Sequence, residues 1–148
     1  MKIPAITFWQ PWASWIAWGW KTIETRTHLK FQSLLGQTIA IHAGLRVDRN
    51  AVHLTRYSIP LSMSQLTVFA WREGPKEHRG CVIAVARMTE VIPSIQVDDV
   101  KGTLISDYFN VVGKVGYRFE DVRPLKKPIP AKGHQGIWYW EVPEGLVI

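Results

Sequence analysis

Short runs of apolar and β-branched residues, separated by turns rich in Pro and Gly, follow one another along most of this chain. This pattern predicts about six short strands. The strongest run, residues 81–91, is continuously apolar at its start and rich in β-branched residues, as expected for a strand at the centre of a sheet. The other runs predict strands over residues 3–8, 21–27, 36–42, 115–122, 125–127 and 137–142. Ala43-Gly44 is expected to end the strand over 36–42.

Helical signals are few. Gln10-Pro11 favours a helix start, because Pro suits the first helical position, and Gly19 is expected to end that helix. No face of the helix carries a charge, which predicts that it is buried or that it lines a concave surface. Further helices are predicted over 47–57 and 104–109, with an amphipathic piece near 66–71 inside the ambiguous stretch 58–80.

These elements predict an α+β fold, a small mixed β-barrel of about six strands with a few short helices. The 148 residues contain no internal repeat, low-complexity segment or linker. A single domain over residues 1–148 is therefore expected.

The net charge of the chain, and its distribution, indicate the kind of ligand to expect. The formal net charge is +6 and the pI is about 9.7, which suggests attraction to polyanions. Residues 1–74 have a net charge of +5 and residues 75–148 a net charge of +1. No block of five or six like charges exists, so folding must assemble any anion site.

Other signals narrow the class of protein. The start Met-Lys-Ile-Pro does not resemble a signal peptide, and the apolar run 12–20 is shorter than the roughly 20 residues of a membrane span. We expect a cytoplasmic protein with no membrane segment. The single cysteine, Cys81, excludes an internal disulfide and a cysteine-built zinc site, and it is expected to be a buried, inert thiol.

Candidate chemistry concentrates in residues 8–26. Five of the eight Trp fall within twelve residues and lead directly into Lys-Thr-Ile-Glu-Thr-Arg. A core does not need Trp at this density, so part of the cluster is expected to face a ligand. The helical wheel suggests that Trp12 and Trp15 belong to the core. Trp9 and Trp18, which lie beside polar Gln10 and Ser14, are the candidates for a binding rim.

The residues after the Trp cluster supply the charged groups. Strand alternation over 21–27 puts Thr22, Glu24 and Arg26 on one face and Lys21 on the other. Lys21 is either a phosphate ligand or base, or a solvated turn lysine. Glu24 and Arg26 either flank a ligand, with Glu24 accepting from a base N–H, or form a structural ion pair.

Two further polar residues are candidates for the same site. His42 ends a strand and is either a proton donor to a cleft or a satisfied core histidine. Gln135, between the glycines of Lys132-Gly-His-Gln-Gly136, can present its amide to a ligand or simply belong to a tight turn. The five His residues lack metal-ligand spacing, so neither a metal nor a cofactor is expected.

Two blocks of the sequence resemble the ASCH domain family. The first is Gln10-Pro11-Trp12-Ala13 followed, after five intervening residues, by Gly-Trp-Lys-Thr-Ile-Glu-Thr-Arg26. The second is Glu120-Asp-Val-Arg-Pro-Leu125 followed by Pro128-Ile-Pro-Ala-Lys-Gly-His-Gln-Gly-Ile-Trp138. They stand in the family's order near the two ends of the chain. The first block is most similar to the subgroup that includes the endothelial-overexpressed lipopolysaccharide-associated factor.

This resemblance implies a PUA-like β-barrel with a cleft beside the first helix, and RNA or nucleotide-derived ligands. Some ASCH proteins are amidohydrolases that remove the acetyl group of N4-acetylcytidine with a Lys, a Thr and a Glu. Lys21 matches the family Lys, whereas Glu24 stands where the catalytic Thr falls. The acids available for the third role are Asp98, Asp99 and Asp107.

Three functions follow as expectations. The first is a binding module for an RNA segment or a modified nucleobase, with Lys21 and Arg26 on anionic groups, Glu24 on a base edge and a Trp stacking. The second is an amidohydrolase that uses Lys21 and Glu24. The third is a ribonuclease that uses His42 and Lys21. The chain has no G-x-S-x-G, P-loop or G-x-G-x-x-G motif.

Overall fold

The computed structural model describes residues 1–48, 78–103 and 108–148. The strands are β1 (Lys2–Gln10), β2 (Ile23–Arg26), β3 (Thr38–Val47), β4 (Cys81–Ile92), β5 (Val115–Pro130) and β6 (Ile137–Glu141). The α-helices are α1 (Trp12–Ala17) and α2 (Tyr108–Val111), and 3-10 turns occupy Gln32–Leu34 and Val97–Val100. Residues 49–57 of the predicted helix over 47–57, the piece near 66–71 and residues 104–107 of the helix over 104–109 lie outside the described residues. Val47 belongs to β3, so the predicted start of the helix over 47–57 was wrong.

The six strands form one mixed sheet in the order β2-β5-β4-β3-β1-β6. β1 and β3 are parallel, and the other neighbouring pairs are antiparallel. This arrangement, with a few short helices, confirms the predicted α+β, barrel-like fold. β4 lies in the middle of the sheet between β3 and β5, as its continuous apolar run predicted.

Both faces of the sheet are covered, which the alternation along β1 illustrates. Ile6 and Phe8 belong to the larger hydrophobic cluster, which also contains Ile16 of α1. Ile3 and Ala5 belong to a second cluster with residues of β6 and the C-terminal segment. Because successive side chains of a strand point to opposite faces, one short strand contributes to both clusters.

Helix α1 packs against β1 and β3 and begins directly after Pro11. Its residues from Ala13 to Ala17 are buried, and no charged residue occupies its first or last turn. Gly19 follows with a φ of +76°, a conformation that favours glycine and that turns the chain out of the helix. The helix thus stops just before the predicted residue.

Two predictions about strand ends were wrong. The segments 115–122 and 125–127 are one strand, β5, which accommodates its prolines through register shifts against β4. Ala43-Gly44 does not end β3, which continues to Val47. Gly44 instead allows close packing, since a Cβ there would lie 2.9 Å from Thr7 Cγ2.

Cys81 is the first residue of β4 and its thiol is buried, as predicted. Burial raises the pKa of this thiol.

No helix in the described part of the chain is long and apolar enough to cross a membrane.

Candidate functional site

A cleft of about 890 Å³ opens where the carboxyl ends of β1 and β3 meet the start of β2 and residues 131–136. Because β1 and β3 are parallel, these ends lie at the same edge of the sheet. The cleft contains aromatic, polar and charged residues together: Phe8, Trp9, Trp12, Phe31, Thr7, His42, Gln135, Glu24, Arg26, Arg46, Lys132 and His134. Five of the predicted site residues line it, namely Trp9, Glu24, Arg26, His42 and Gln135.

Glu24 lies between two cations. Glu24 Oε2 is 3.1 Å from Lys21 Nζ, and Glu24 Oε1 is 3.2 Å from Arg26 Nε. These are ion-pair distances, but among the described residues no well-aligned hydrogen bond reaches Glu24 Oε2 or Arg26 Nε. The pairing of Glu24 with Arg26 agrees with their predicted shared face.

The predicted position of Lys21 on the opposite face from Glu24 was wrong. β2 begins only at Ile23, and the Lys21 backbone N–H still donates to Trp15 O in the turn after α1, so strand alternation does not apply to Lys21. Lys21 is 4% exposed, donates from Nζ to Ile23 O, and is not among the residues that line the cleft. Lys21 reaches the cleft through Glu24, and its Nζ also lies 5.7 Å from the centroid of the Trp12 ring, which lines the cleft.

Arg26 is oriented by aromatic rings. Its Cζ lies 5.8 Å from the centroid of the Phe8 ring and 5.2 Å from that of Phe31. Cation–π contacts of this kind hold a guanidinium plane while its N–H groups stay available. The side chain is partly exposed and lines the cleft, so Arg26 can donate to a ligand beside Glu24.

The Trp residues divide differently from the helical-wheel prediction. Trp15 is buried, as predicted, but Trp12 is only half-buried and lines the cleft, which corrects its assignment to the core. The Trp12 Nε1–H donates to Asp48 Oδ2 at 3.3 Å. Trp9 is 48% exposed at the cleft, whereas Trp18 is 37% exposed and packs on Trp20 outside it.

Gln10 and Thr22, also predicted to bind a ligand, do not line the cleft. Gln10 is fully buried, with its Oε1 accepting from the Ser14 backbone N–H and its Nε2 donating to Ser14 Oγ, so it supports the first turn of α1. The Thr22 backbone N–H donates to Thr103 Oγ1, and its carbonyl accepts from the Phe119 N–H. Both residues have structural contacts instead.

His42 is buried in the cleft wall with partners on both ring nitrogens. Its Nδ1 is 3.1 Å from Thr7 Oγ1, and its Nε2 is 2.9 Å from the Ala131 carbonyl oxygen. Burial lowers the pKa of His42 from 6.5, the hydrogen bond to Ala131 opposes this change, and nearby His134 adds to it. The ring is therefore a neutral hydrogen-bonded group at neutral pH.

Several cleft residues were missed by sequence reasoning. Arg46 and Lys132 add two cations, and Thr7 adds a hydroxyl. Arg46 lies beyond the expected end of β3, and Thr7 reaches the cleft because β1 pairs with β3 rather than with a neighbour in sequence. Of these three residues, only Lys132 had a signal in the sequence that could have identified it, since it lies in the second ASCH-like block.

Asp98 and Asp99, two of the three acids named for a third catalytic role, do not line the cleft. Asp98 is exposed and pairs with Lys101 at 2.7 Å. Asp99 accepts from the backbone N–H of Gln96, the N-cap residue, and so completes the capping box of the 3-10 turn Val97–Val100. Asp107 lies outside the described residues. Within the described ranges no group of three His, Cys, Asp or Glu side chains is placed to hold a metal ion.

The fold is similar to that of the ASCH protein of Zymomonas mobilis. Its crystal structure matches with a TM-score of 0.52 at 15% identity over 93% of this chain and 87% of that chain. A Ser-to-Ala mutant of that protein gives a TM-score of 0.54 and a Tyr-to-Phe mutant 0.55, each at 16% identity over 93% of this chain, covering 87% and 89% of the mutant chains. No protein-family model matches the chain. The likeness shows that the chain has the fold of this ASCH protein.

Proposed function

We propose that the cleft binds a nucleobase of a single-stranded RNA segment and that the chain belongs to the ASCH subgroup its Gln10-Pro11-Trp12-Ala13 block resembles. The observation behind this proposal is the Glu24–Arg26 pair, which lies in a cleft with exposed Trp9. A carboxylate beside a guanidinium offers an acceptor and donors to the polar edge of a base. The RNA partner and the cytoplasmic location remain predictions.

The charge of the cleft suits a phosphate backbone. Among the described residues that line it, Arg26, Arg46 and Lys132 face one carboxylate, that of Glu24. Glu24 is itself within ion-pair distance of Lys21 and Arg26. The cleft therefore has a positive excess, which favours phosphate over a neutral ligand of the same shape.

The aromatic part of the cleft suits a base. Trp9 and Trp12 offer large π-faces, and Trp9 is half exposed. Stacking on such rings is worth about 1–3 kcal/mol per base and tolerates any sequence. The combination of rings, donor–acceptor pair and cations favours a nucleotide over a purely apolar ligand.

The test is a binding titration of a dye-labelled oligouridine at several salt concentrations. Affinity is expected to fall linearly on a log–log plot against salt, because phosphate contacts release counterions. Arg46→Gln should reduce the slope by roughly 0.7, the value for one single-strand phosphate contact. Arg87→Gln removes an exposed cation outside the cleft and should leave the slope unchanged. Equal slopes for the two variants would refute binding at this cleft.

A second candidate function is amide hydrolysis of N4-acetylcytidine, because the buried Lys21 amine contacts Glu24 at the cleft. Water would add to the acetyl carbon and the C–N bond would break, giving cytidine and acetate. Glu24 would take the proton from water and pass it to the leaving amine, while Lys21 holds Glu24 in place.

Chromatographic turnover of N4-acetylcytidine tests this candidate, with Glu24→Gln as the inactive control and Lys21→Ala as a second variant. Conversion that Glu24→Gln abolishes supports hydrolysis, whereas conversion that survives in Glu24→Gln has another source. The ribonuclease expectation has less support, since both ring nitrogens of His42 are engaged within the fold and Lys21 does not line the cleft.

A further inference from the structure

Positive charge is concentrated where β4 begins and β5 ends. Residues 79–86 and 122–136 contain five of the 18 Lys and Arg and none of the 12 Asp and Glu. Because β4 and β5 pair antiparallel, folding brings these two stretches side by side. The net charge of +1 for residues 75–148 therefore conceals a strongly basic surface. Its five cations are all exposed: Arg79, Arg123, Lys126, Lys127 and Lys132.

This basic stretch begins at the cleft. Gly80, Ala131 and Lys132 line the cleft, and the Ala131 backbone N–H donates to the Gly80 carbonyl oxygen at 3.0 Å. Arg79 directly precedes Gly80, and Lys132 directly follows Ala131. Two exposed cations, one from each side of this hydrogen bond, therefore lie at the rim of the cleft.

Lys126 and Lys127 lie further back along β5, in a bulge. Two steps along β4 correspond to five steps along β5 at this point, and the additional length is residues 125–128. Leu125 and Ile129 pack into the second hydrophobic cluster. The bulge is thus anchored on both sides of the two lysines, which themselves stay exposed.

Four of these cations are available to a ligand. Within the described ranges, no ion pair or side-chain hydrogen bond engages Arg79, Lys126, Lys127 or Lys132. Arg123 differs, because Asp121 Oδ2 lies 3.4 Å from its Nη2. The four free cations, here called the basic edge, raise the local positive potential and favour an anionic partner with several charges.

The backbone of this part of β5 is unsuited to pairing with a peptide strand. Among the described residues β2 pairs only with residues 115–118, so the later part of β5 has a free side. Pro124, Pro128 and Pro130 have no N–H to donate to an added strand. Exposed lysines on such an edge disfavour strand addition further. A polyanion bound by side chains fits the basic edge better than an extended peptide bound by its backbone.

We propose that the basic edge binds the phosphates of the RNA nucleotides that flank the base in the cleft, which makes the site a track for single-stranded RNA and not a pocket for one nucleotide. This inference rests on the proposed function for the base in the cleft. The Cα atoms of Lys127 and Lys132 are at most about 18 Å apart, the span of five extended residues. A short RNA flank can therefore reach from the rim of the cleft to the bulge.

The first test compares a dye-labelled uridine dinucleotide with an oligouridine of about eight nucleotides, a length within the range of single-strand sites. The double variant Lys126→Gln with Lys127→Gln should reduce the salt slope of the longer RNA by up to about 1.4, since each single-strand phosphate contact contributes roughly 0.7. The slope of the dinucleotide should not change, because it ends before the bulge.

The control is the double variant Lys2→Gln with Lys101→Gln, which removes the same charge from two exposed lysines outside the basic edge. Its salt slopes should match those of wild type for both RNAs. Equal reductions in the two double variants would show an effect of net charge alone and would overturn the proposal. Urea unfolding of both variants confirms that the fold is unchanged.

The second test locates the flank by NMR. A nitroxide placed at one end or the other of the longer RNA is expected to broaden the Lys126 and Lys127 amide signals from one of the two ends. The Lys101 amide serves as the reference and should stay sharp. If neither end broadens the amides of the bulge, the RNA does not follow β5 and the proposal is wrong.

The outcomes separate the two proposals. A slope that falls in Arg46→Gln but not in the Lys126 and Lys127 variant overturns the track and leaves the proposed function intact. Binding that needs Lys126 and Lys127 but is unaffected by Trp9→Ala and Arg46→Gln supports the basic edge and refutes the base site. Displacement of the RNA by oligo-aspartate of equal charge at equal concentration would indicate an acidic protein partner instead of RNA.

Discussion

The guanidinium of Arg46 lies on the ring of Trp9, with Arg46 Cζ 5.5 Å from the ring centroid. The two side chains come from adjacent parallel strands and both line the cleft. The contact holds a cation beside an aromatic surface that is still half exposed. A base and its phosphate can therefore meet Trp9 and Arg46 together.

Trp9→Ala is expected to weaken oligouridine binding by about 1–3 kcal/mol, because one stacking surface is lost. Trp18→Ala is the matched control, since Trp18 is also exposed but packs on Trp20 outside the cleft. Anisotropy titration of both variants measures the difference. Similar losses for the two variants would show that stacking does not occur at the cleft.

Substitution of Gln10 is expected to affect the stability of the fold, whereas substitution of Gln135 is expected to affect ligand binding. Gln10→Met is expected to lower the free energy of unfolding by about 1–2 kcal/mol, because the Ser14 N–H loses its buried acceptor. Gln135→Ala, at an exposed position in the cleft, should leave stability within about 0.5 kcal/mol and weaken oligouridine binding. Urea unfolding and oligouridine titration of each variant test this. A Gln10→Met protein with normal stability but weakened oligouridine binding would show instead that Gln10 contacts the ligand.

Lys21→Met is expected to lower stability by about 3 kcal/mol, the low end for breaking a buried ion pair, because Arg26 still faces Glu24. Lys21→Met with Glu24→Gln removes both buried charges and should recover part of that loss. Urea unfolding of wild type, both single variants and the double variant gives the coupling energy. If the loss of stability in the double variant equals the sum of the losses in the two single variants, the two charges do not interact.

Stability is expected to fall in acid because of His42. Its pKa in the folded state is lowered from 6.5, so below that pH the unfolded chain binds a proton that the folded chain does not. The contribution of His42 to the free energy of unfolding is therefore fully present above pH 6.5. It is lost as the pH falls from 6.5 towards the lowered pKa of the folded state. Urea unfolding at several pH values measures it, and His42→Asn should show a flatter profile. A wild-type profile that matches His42→Asn would contradict the lowered pKa.

Much of the fold could be predicted from local sequence. The long apolar run of residues 81–91 identified the central strand, because a strand buried on both faces needs no polar alternation. The ends of β3 and β5 were mistaken, since the packing of Gly44 on Thr7 and the register shifts beside the prolines depend on neighbouring strands. Tertiary context overrode the local turn signal in both places.

The site could be predicted only where its residues are near in sequence. Glu24 and Arg26 were paired correctly because they are two apart on one strand. Lys21 was placed on the wrong face because β2 begins two residues later, at Ile23. Arg46 was missed because the parallel pairing of β1 with β3, which brings it to Trp9, has no local signal.

Tyr117 supports the cleft from the core, and Tyr117→Phe should reveal this support. Its hydroxyl donates to the His28 carbonyl at 2.6 Å and accepts from the Phe31 N–H at 3.4 Å, while its ring packs on Phe31 at 5.4 Å. Loss of the hydroxyl leaves two backbone groups unpaired beside a fully buried ring and is expected to cost about 1–2 kcal/mol in urea unfolding. Tyr139→Phe, at a position 66% exposed, is the control and should change stability by less than about 0.5 kcal/mol.

Since Phe31 also contacts the Arg26 guanidinium, Tyr117→Phe should weaken oligouridine binding as well, whereas Tyr139→Phe should not. A Tyr117→Phe protein as stable as Tyr139→Phe would show that water replaces the hydroxyl and that Phe31 is held by packing alone.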